Sequence, residues 1–135
     1  MPTSRATSTY AAALNRNQLF ANYGLQQDIP KLLHADEEVL LVLPGVAGDF
    51  PNVLVAASNR VLLAAVAGPI KRAKVKREVP ASAITGVQYR SGVFTRIHVQ
   101  TSLGRDIRML PNHRDDAERF AFEFGHLLRT GRLPA

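Results

Sequence analysis

The side chains best suited to catalysis are few and widely separated in this sequence. No two of the four histidines have the four-residue spacing with which a helix presents two imidazoles to one metal ion; they are His34, His98, His113 and His126. The absence of cysteine excludes a thiol nucleophile and any thiolate-bound zinc or iron–sulfur centre. Neither a Gly-x-Ser-x-Gly elbow nor a phosphate-binding loop is present. The sequence therefore predicts a protein that is not an enzyme, with no catalytic residue, metal ion or cofactor.

Some polar residues that resemble parts of a site have simpler interpretations. His98 stands beside Val99 in a strand-like segment, where we expect it on the sheet surface. His113 is close to Asp115 at the start of a helical segment, and we interpret it as a neighbour of that helix start. Residues 36–38 are three consecutive acids, and an extended chain points consecutive side chains to opposite faces. We therefore expect these acids to be solvated rather than to bind a cation.

Charge is distributed unevenly along the chain. Seventeen Lys and Arg against eleven Asp and Glu give a net charge of +6. Residues 36–59 contain four acids and no Lys or Arg, whereas residues 60–108 contain ten basic residues against Glu78 and Asp106. Such a basic segment attracts an anionic partner, and solubility alone is the other explanation.

The basic residues are densest around the predicted fourth strand. These candidates for binding an anion or lipid are Lys71, Arg72, Lys74, Lys76 and Arg77. Alternation places Lys74 and Lys76 on one face of the strand, and Val75, Arg77 and Val79 on the other. Protection of a sheet edge from unwanted pairing is the alternative role. The cluster contains no aromatic residue on which bases would stack, so sequence-specific nucleic-acid binding is not expected.

Helical periodicity marks both ends of the chain. The spacing predicts a helix over about 9–23, capped by Ser8 or Thr9, in an N-terminal extension of residues 1–27. A second helix is expected to begin after Asn112, which we predict as its cap, with an apolar stripe running through Ala117 to Leu128. Some large apolar residues lie off these stripes and are candidates for a protein interface: Leu19, Phe20, Tyr23 and Phe122. Packing on the domain is the alternative for the first three.

Between these helices the apolar pattern is typical of strands. Seven short segments with turn residues between them, the sixth at 94–101, predict a mainly β protein with an antiparallel barrel or sandwich. Seven strands followed by an amphipathic helix resemble the pleckstrin-homology (PH) superfold. The motifs that carry the resemblance to small bacterial PH-like domains are LLHADEEVL at 32–40, LVAASNRVLL at 54–63 and EVPASAITGV at 78–87.

The resemblance covers about residues 28–130, so we place a PH-like domain at 28–132. Family members that bind phosphoinositides use basic residues around the loop between the first two strands. Here that loop, 44–51, contains no Lys or Arg, and the site does not carry over. What the family implies instead is a binding or assembly module, because bacterial relatives resemble such modules and some form homo-oligomers.

We therefore expect a non-enzymatic PH-like module for protein–protein interaction or self-assembly, whose partner is a second copy or another protein. The alternative is peripheral binding of an anionic membrane lipid, or of another phosphate-bearing ligand, through the basic patch of strands 3 and 4. Residues 1–6 lack the apolar stretch of a secretory signal, and runs such as 61–66 are too short to span a bilayer. A cytoplasmic location is expected, with the inner face of the membrane as the alternative.

Overall fold

The computed structural model describes residues 4–17, 28–47, 50–67, 72–92 and 95–134. Helix α1 spans Arg5–Leu14 and helix α2 spans Arg114–Thr130, with short 3-10 turns at Ile29–Leu32 and Ala81–Ala83. Seven strands lie between the helices: β1 Val39–Ala47, β2 Phe50–Ala57, β3 Arg60–Ala67, β4 Arg72–Pro80, β5 Ile84–Arg90, β6 Arg96–Thr101 and β7 Ile107–Pro111.

All neighbouring strands are antiparallel and follow the order β4-β3-β2-β1-β7-β6-β5. This architecture confirms the predicted mainly β fold of seven antiparallel strands with a C-terminal helix and an N-terminal helix. Within the described residues β4 and β5 are the two end strands and do not pair with each other. The sheet is therefore not a closed barrel there.

The two halves of the sheet join where β1 meets β7. Gly45 lies opposite Pro111, and Val46 lies opposite Leu110. A Cβ atom at Gly45 would collide with the Leu110 carbonyl oxygen and with Met109 Sδ. Glycine therefore allows the close approach of backbones that connects β1–β4 to β5–β7.

Each face of the first half of the sheet has its own core. The inner core lies between the two halves and α2, and includes Leu43, Leu54, Ile97 and Phe120. The outer core packs α1 and Ile29 against the opposite face of β1–β3. Burial on both faces explains why these strands are nearly continuous apolar runs rather than alternating sequences.

Helix α1 begins earlier than predicted. Its cap is Ser4, whose Oγ accepts from the Thr7 N–H at 3.1 Å. The two predicted caps, Ser8 and Thr9, instead lie inside the helix, where the Thr9 hydroxyl donates to the Arg5 carbonyl at 2.7 Å. The helix ends at Leu14, and residues 15–17 of the predicted span form a turn instead. The rest of that span, which includes Leu19, Phe20 and Tyr23, lies outside the described residues.

Two other boundaries also differ from the sequence-based prediction. His113 caps α2 because its Nδ1 accepts from the Asp115 N–H at 3.2 Å. The predicted cap Asn112 instead donates its backbone N–H to the Pro44 carbonyl at 3.1 Å. Strand β6 begins at Arg96 rather than at residue 94, which is outside the described residues.

Candidate binding surface

A β-bulge reorganises the basic patch of β4. Arg77 pairs with Leu63 and Val75 pairs with Ala64, which leaves Lys76 as the extra residue. Consecutive residues of β3 face opposite ways, so Val75 and Arg77 lie on opposite faces. The predicted grouping of Val75, Arg77 and Val79 on one face is therefore wrong.

The structure brings together only some of the basic residues that the sequence predicts as an anion-binding patch. Arg77 donates to the carbonyl oxygens of Leu103 at 3.2 Å and Asp106 at 3.4 Å, so it fastens β4 to the connection before β7. Lys74 and Lys76 are exposed. Lys71 and the side chain of Arg72 lie outside the described residues. Two exposed lysines and one anchored arginine remain as candidates for anion binding.

Another basic residue of this segment, Arg60, is part of the structural framework. Its Nη2 lies 2.7 Å from Glu37 Oε1, its Nε lies 2.9 Å from Glu37 Oε2, and its Nη1 pairs with Glu78. Arg60 Nη2 also donates to the Leu32 carbonyl at 3.1 Å. Only 4% of Glu37 is exposed, so its predicted solvation is wrong. The reason is that Arg60 supplies the charge that allows the carboxylate to be buried.

The pKa of Glu37 reflects this environment. Burial opposes ionisation, but hydrogen bonds from Arg60 and from the His34 N–H, together with the positive charge of Arg60, outweigh it and lower the pKa. Hydrogen bonding to Glu37 raises the pKa of Arg60, against an opposing effect of burial. Both groups are therefore charged at neutral pH.

A second group of basic side chains lies on the outer face of β5–β7. In β6, Ile97 and Val99 belong to the inner core, so Arg96 and His98 project to the other side. Register places Arg90 opposite Arg96, and Arg108 opposite His98. We call Arg90, Arg96 and Arg108, with His98 among them, the arginine face.

His98 is the centre of this face, and its burial differs from the prediction. It was expected at the sheet surface, yet only 4% of it is exposed, because Gln88 and Arg108 flank it in register. Burial lowers its pKa, and the charges of Arg90 and Arg108 lower it further. Its Nε2 is buried and has no hydrogen-bond partner in the described part of the chain. The imidazole is therefore neutral at pH 7.

The three arginines are exposed, and none forms a salt bridge within the described ranges. Gln88 Oε1 accepts from Arg90 Nε at 3.2 Å and from Nη2 at 2.8 Å, which orients that guanidinium. The face thus presents three positive charges whose carboxylate-binding capacity is not used by an acidic side chain of the described chain. The three arginines are far apart in the sequence, so the charge pattern alone does not identify them as a group. The signal that could have identified them is the alternation of side chains along a strand, which places Arg96 and Arg108 on the side opposite the buried apolar residues.

Two cavities adjoin the arginine face. One of about 420 Å³ is lined by Leu63, Lys76, Arg77, Arg105, Asp106, Ile107 and Arg108. The other, of about 310 Å³, is lined by Val46, Asn52, Leu63, Arg96, Arg108, Met109 and Leu110. Leu63 and Arg108 contribute to both, so the cavities are neighbours. The second combines an apolar lining with two members of the arginine face.

Of the predicted interface residues, Phe122 is the one that the structure describes. Its side chain projects from α2 and is 64% exposed, whereas Phe120 and Phe124 on the same helix are buried. The helix therefore presents one aromatic ring to solvent beside a well-packed apolar stripe.

Among the described residues no group of three or more histidine, aspartate or glutamate side chains is arranged to hold a metal ion. A membrane-spanning helix is likewise not found there, since neither helix is long and apolar enough.

The fold of this chain is similar to that of a known protein structure. No family model and no curated protein matches the sequence. The fold is similar to the crystal structure of a pleckstrin homology domain from Shewanella amazonensis SB2B, with 17% identity and a TM-score of 0.46. The match covers 75% of this chain and 83% of that one. A similar fold does not determine function, so the function of this chain must be argued from its own surface.

Proposed function

We propose that this protein is a non-catalytic binding module that binds an acidic protein surface through the arginine face. The observation that carries the proposal is the set of three exposed arginines on one sheet face, without a salt bridge in the described chain. A sheet holds their backbones rigidly, so little order is lost when a partner binds. The buried, neutral His98 supports the face without adding charge.

The chemistry of the face favours a protein partner. Guanidinium groups bind carboxylates in a bidentate manner, and arginine is enriched at protein interfaces while lysine is depleted. Exposed aliphatic side chains adjoin the arginines: Val46 is 41% exposed and Leu110 is 37% exposed. Arginine beside aliphatic surface is the composition of a protein interface rather than of a purely electrostatic patch.

The proposal is tested with a fluorescein-labelled octaglutamate peptide. The variant R90Q/R96Q/R108Q removes three positive charges from the face, and R114Q/R129Q/R132Q removes three from exposed positions on and after α2. Three exposed ion pairs at about 0.5 kcal/mol each correspond to about tenfold in affinity. We expect that loss from the first variant and less than about threefold from the second. Equal losses would mean that net charge alone attracts the peptide, and would overturn the proposal.

Anionic lipid is the second candidate partner, through β4. Lys74 and Lys76 are exposed and form no salt bridge in the residues the structure describes. Each basic residue near an anionic membrane contributes about 1 kcal/mol, so two lysines give weak, salt-sensitive adsorption. Vesicles of phosphatidylserine, with phosphatidylcholine vesicles as control, test this candidate. Adsorption that K74Q/K76Q abolishes and R90Q/R96Q/R108Q leaves intact would favour lipid over an acidic protein.

Self-assembly is supported by the exposure of Phe122. An aromatic ring that is 64% exposed is suited to an interface, and Leu19, Phe20 and Tyr23 remain candidates for the same contact. Light scattering of the wild type and of F122D tests it, because the monomer has a mass of 14.8 kDa. A larger species that F122D dissociates is the expected result, and a wild-type monomer would contradict it.

A further inference from the structure

The smaller of the two cavities beside the arginine face contains an unusual polar group. Asn52 is only 4% exposed, and its Oδ1 is buried with no hydrogen-bond partner among the residues described. A buried carbonyl oxygen without a donor costs free energy that a neighbouring N–H or O–H would recover. Asn52 lines the cavity together with Arg96 and Arg108, so a bound partner is in a position to supply that donor.

Small residues pair with Asn52 on both neighbouring strands. Asn52 lies opposite Gly45 in β1 and opposite Ala65 in β3. The place that a Gly45 side chain would take is occupied by Met109 Sδ and the Leu110 carbonyl oxygen, and a Cβ there would also stand 3.0 Å from Asn52 Oδ1. Glycine at position 45 therefore brings Asn52 close to Met109 and Leu110, which line the same cavity.

The lining of the cavity has an apolar part and a positively charged part. Val46, Leu63, Met109 and Leu110 provide an apolar wall, and Arg96 and Arg108 provide two exposed guanidinium groups. A volume of about 310 Å³ accommodates one or two side chains but not a folded element. An apolar wall with convergent polar groups is the usual composition of a specific binding pocket.

We propose that this cavity is an anchor pocket for a segment of an acidic protein partner that carries an aliphatic side chain flanked by carboxylates. The inference rests on the proposed function, because Arg96 and Arg108 belong to the same face. The aliphatic side chain packs against Leu63 and Met109, the flanking carboxylates bind the two guanidinium groups, and a backbone N–H of the segment donates to Asn52 Oδ1. Charge complementarity selects the acidic segment, and the aliphatic wall selects its central residue.

The substitution N52L tests the pocket because it has opposite effects on stability and on binding. Leucine has nearly the shape of asparagine and removes the unpaired oxygen, so we expect the thermal midpoint of the free protein to rise. The same change removes the acceptor but leaves the volume of the cavity nearly unchanged. Affinity for a fitting peptide should therefore fall at least about fivefold. A purely structural role for Asn52 predicts a lower thermal midpoint instead.

Three short peptides of equal length distinguish this inference from the proposed function. The first has a leucine between two glutamates, the second replaces the leucine with serine, and the third replaces the glutamates with glutamine. We expect the first to bind the wild type at least about fivefold more tightly than the other two, and to shift the NMR signals of the Asn52 side-chain amide. N52L should lose affinity for the first and second peptides by about the same factor, because both carry the backbone N–H that Asn52 accepts.

Equal binding of the leucine and serine peptides to the wild type would overturn the anchor pocket and leave the arginine face intact. Equal binding of the glutamate and glutamine peptides would overturn both the anchor pocket and the proposed function, because the arginines would then not be binding carboxylates. Absence of binding by all three peptides at millimolar concentration would also overturn both. Because the amide signal of Asn52 is read in the wild type, the result does not depend on the folding of the variant.

Discussion

Arg60 and Glu37 form a two-point ion pair in which Nη2 lies 2.7 Å from Oε1 and Nε lies 2.9 Å from Oε2. Arg60 is in β3, and Glu37 precedes β1, so the pair joins the entry to the sheet to its third strand. The side chain of Glu37 is 2% exposed and that of Arg60 is 10% exposed. A pair this well buried stabilises the fold only while both partners are present.

Removal of one partner is predicted to destabilise the protein strongly. R60M leaves the Glu37 carboxylate buried without its counter-ion, and we expect a loss of about 3–5 kcal/mol in the free energy of unfolding. The matched control is R5M, which breaks the exposed pair between Arg5 and Glu38 at 3.2 Å and should cost at most about 1 kcal/mol. Urea denaturation measures both. Similar losses for the two variants would contradict the structural role of Arg60.

The pH dependence of stability should report the same pair. The pKa of Glu37 is lowered from its ordinary value of 4.5 by folding, so the unfolded chain binds the proton more readily. The stabilisation is complete above pH 4.5 and is lost as the pH falls through the folded-state pKa. Urea denaturation between about pH 7 and about pH 3 should therefore show that the difference between wild type and E37Q shrinks in acid. A difference that stays constant to the lowest pH would show that the folded-state pKa is not lowered.

The strand pattern and the C-terminal helix could be predicted because their signals are local. Turn residues separate short apolar segments, and Phe120 and Phe124 recur on one face of α2. The burial of Glu37 was not predictable, since the charge that permits it lies 23 residues away in Arg60. A local pattern of three consecutive acids contains no information about that partner.

The candidate site was harder to predict than the fold. A bulge at Lys76 changes the faces of β4, and alternation alone does not locate such an extra residue. The arginine face depends on register, because Arg108 reaches His98 only when β6 and β7 pair as they do. The sequence indicated a basic segment at residues 60–108 but did not show which of its side chains share a face of the sheet.

Helix α1 is predicted to be part of the folding core rather than a detachable extension. Leu14 is 2% exposed and packs in the outer core with Val42 and Val55. L14A should therefore cost about 2–5 kcal/mol in unfolding free energy. The control A11G changes an exposed position of the same helix and should cost about 1 kcal/mol. A loss for L14A no larger than that of A11G would mean that the helix does not contribute to the core.

Substitutions of two aromatic residues of α2 should change the stability of the protein to very different extents. Phe124 is 2% exposed and stacks edge-to-face on Phe120 with ring centroids 5.6 Å apart, whereas Phe122 is 64% exposed. F124A should cost about 3–5 kcal/mol, and F122A should stay within about 0.5 kcal/mol in the monomer. Thermal denaturation at low protein concentration measures both. A large loss for F122A at that concentration would mean that its ring packs within the chain.

The central claim is that the arginine face, rather than the lysines of β4, binds an acidic partner. Its most direct test is NMR mapping of the octaglutamate peptide on isotope-labelled protein at about 50 mM salt and again at about 300 mM salt. The account predicts shifted signals at Arg90, Arg96, His98 and Arg108 that weaken as salt screens the charges. Shifts confined to Lys74 and Lys76, or signals spread evenly over all basic residues, would contradict it.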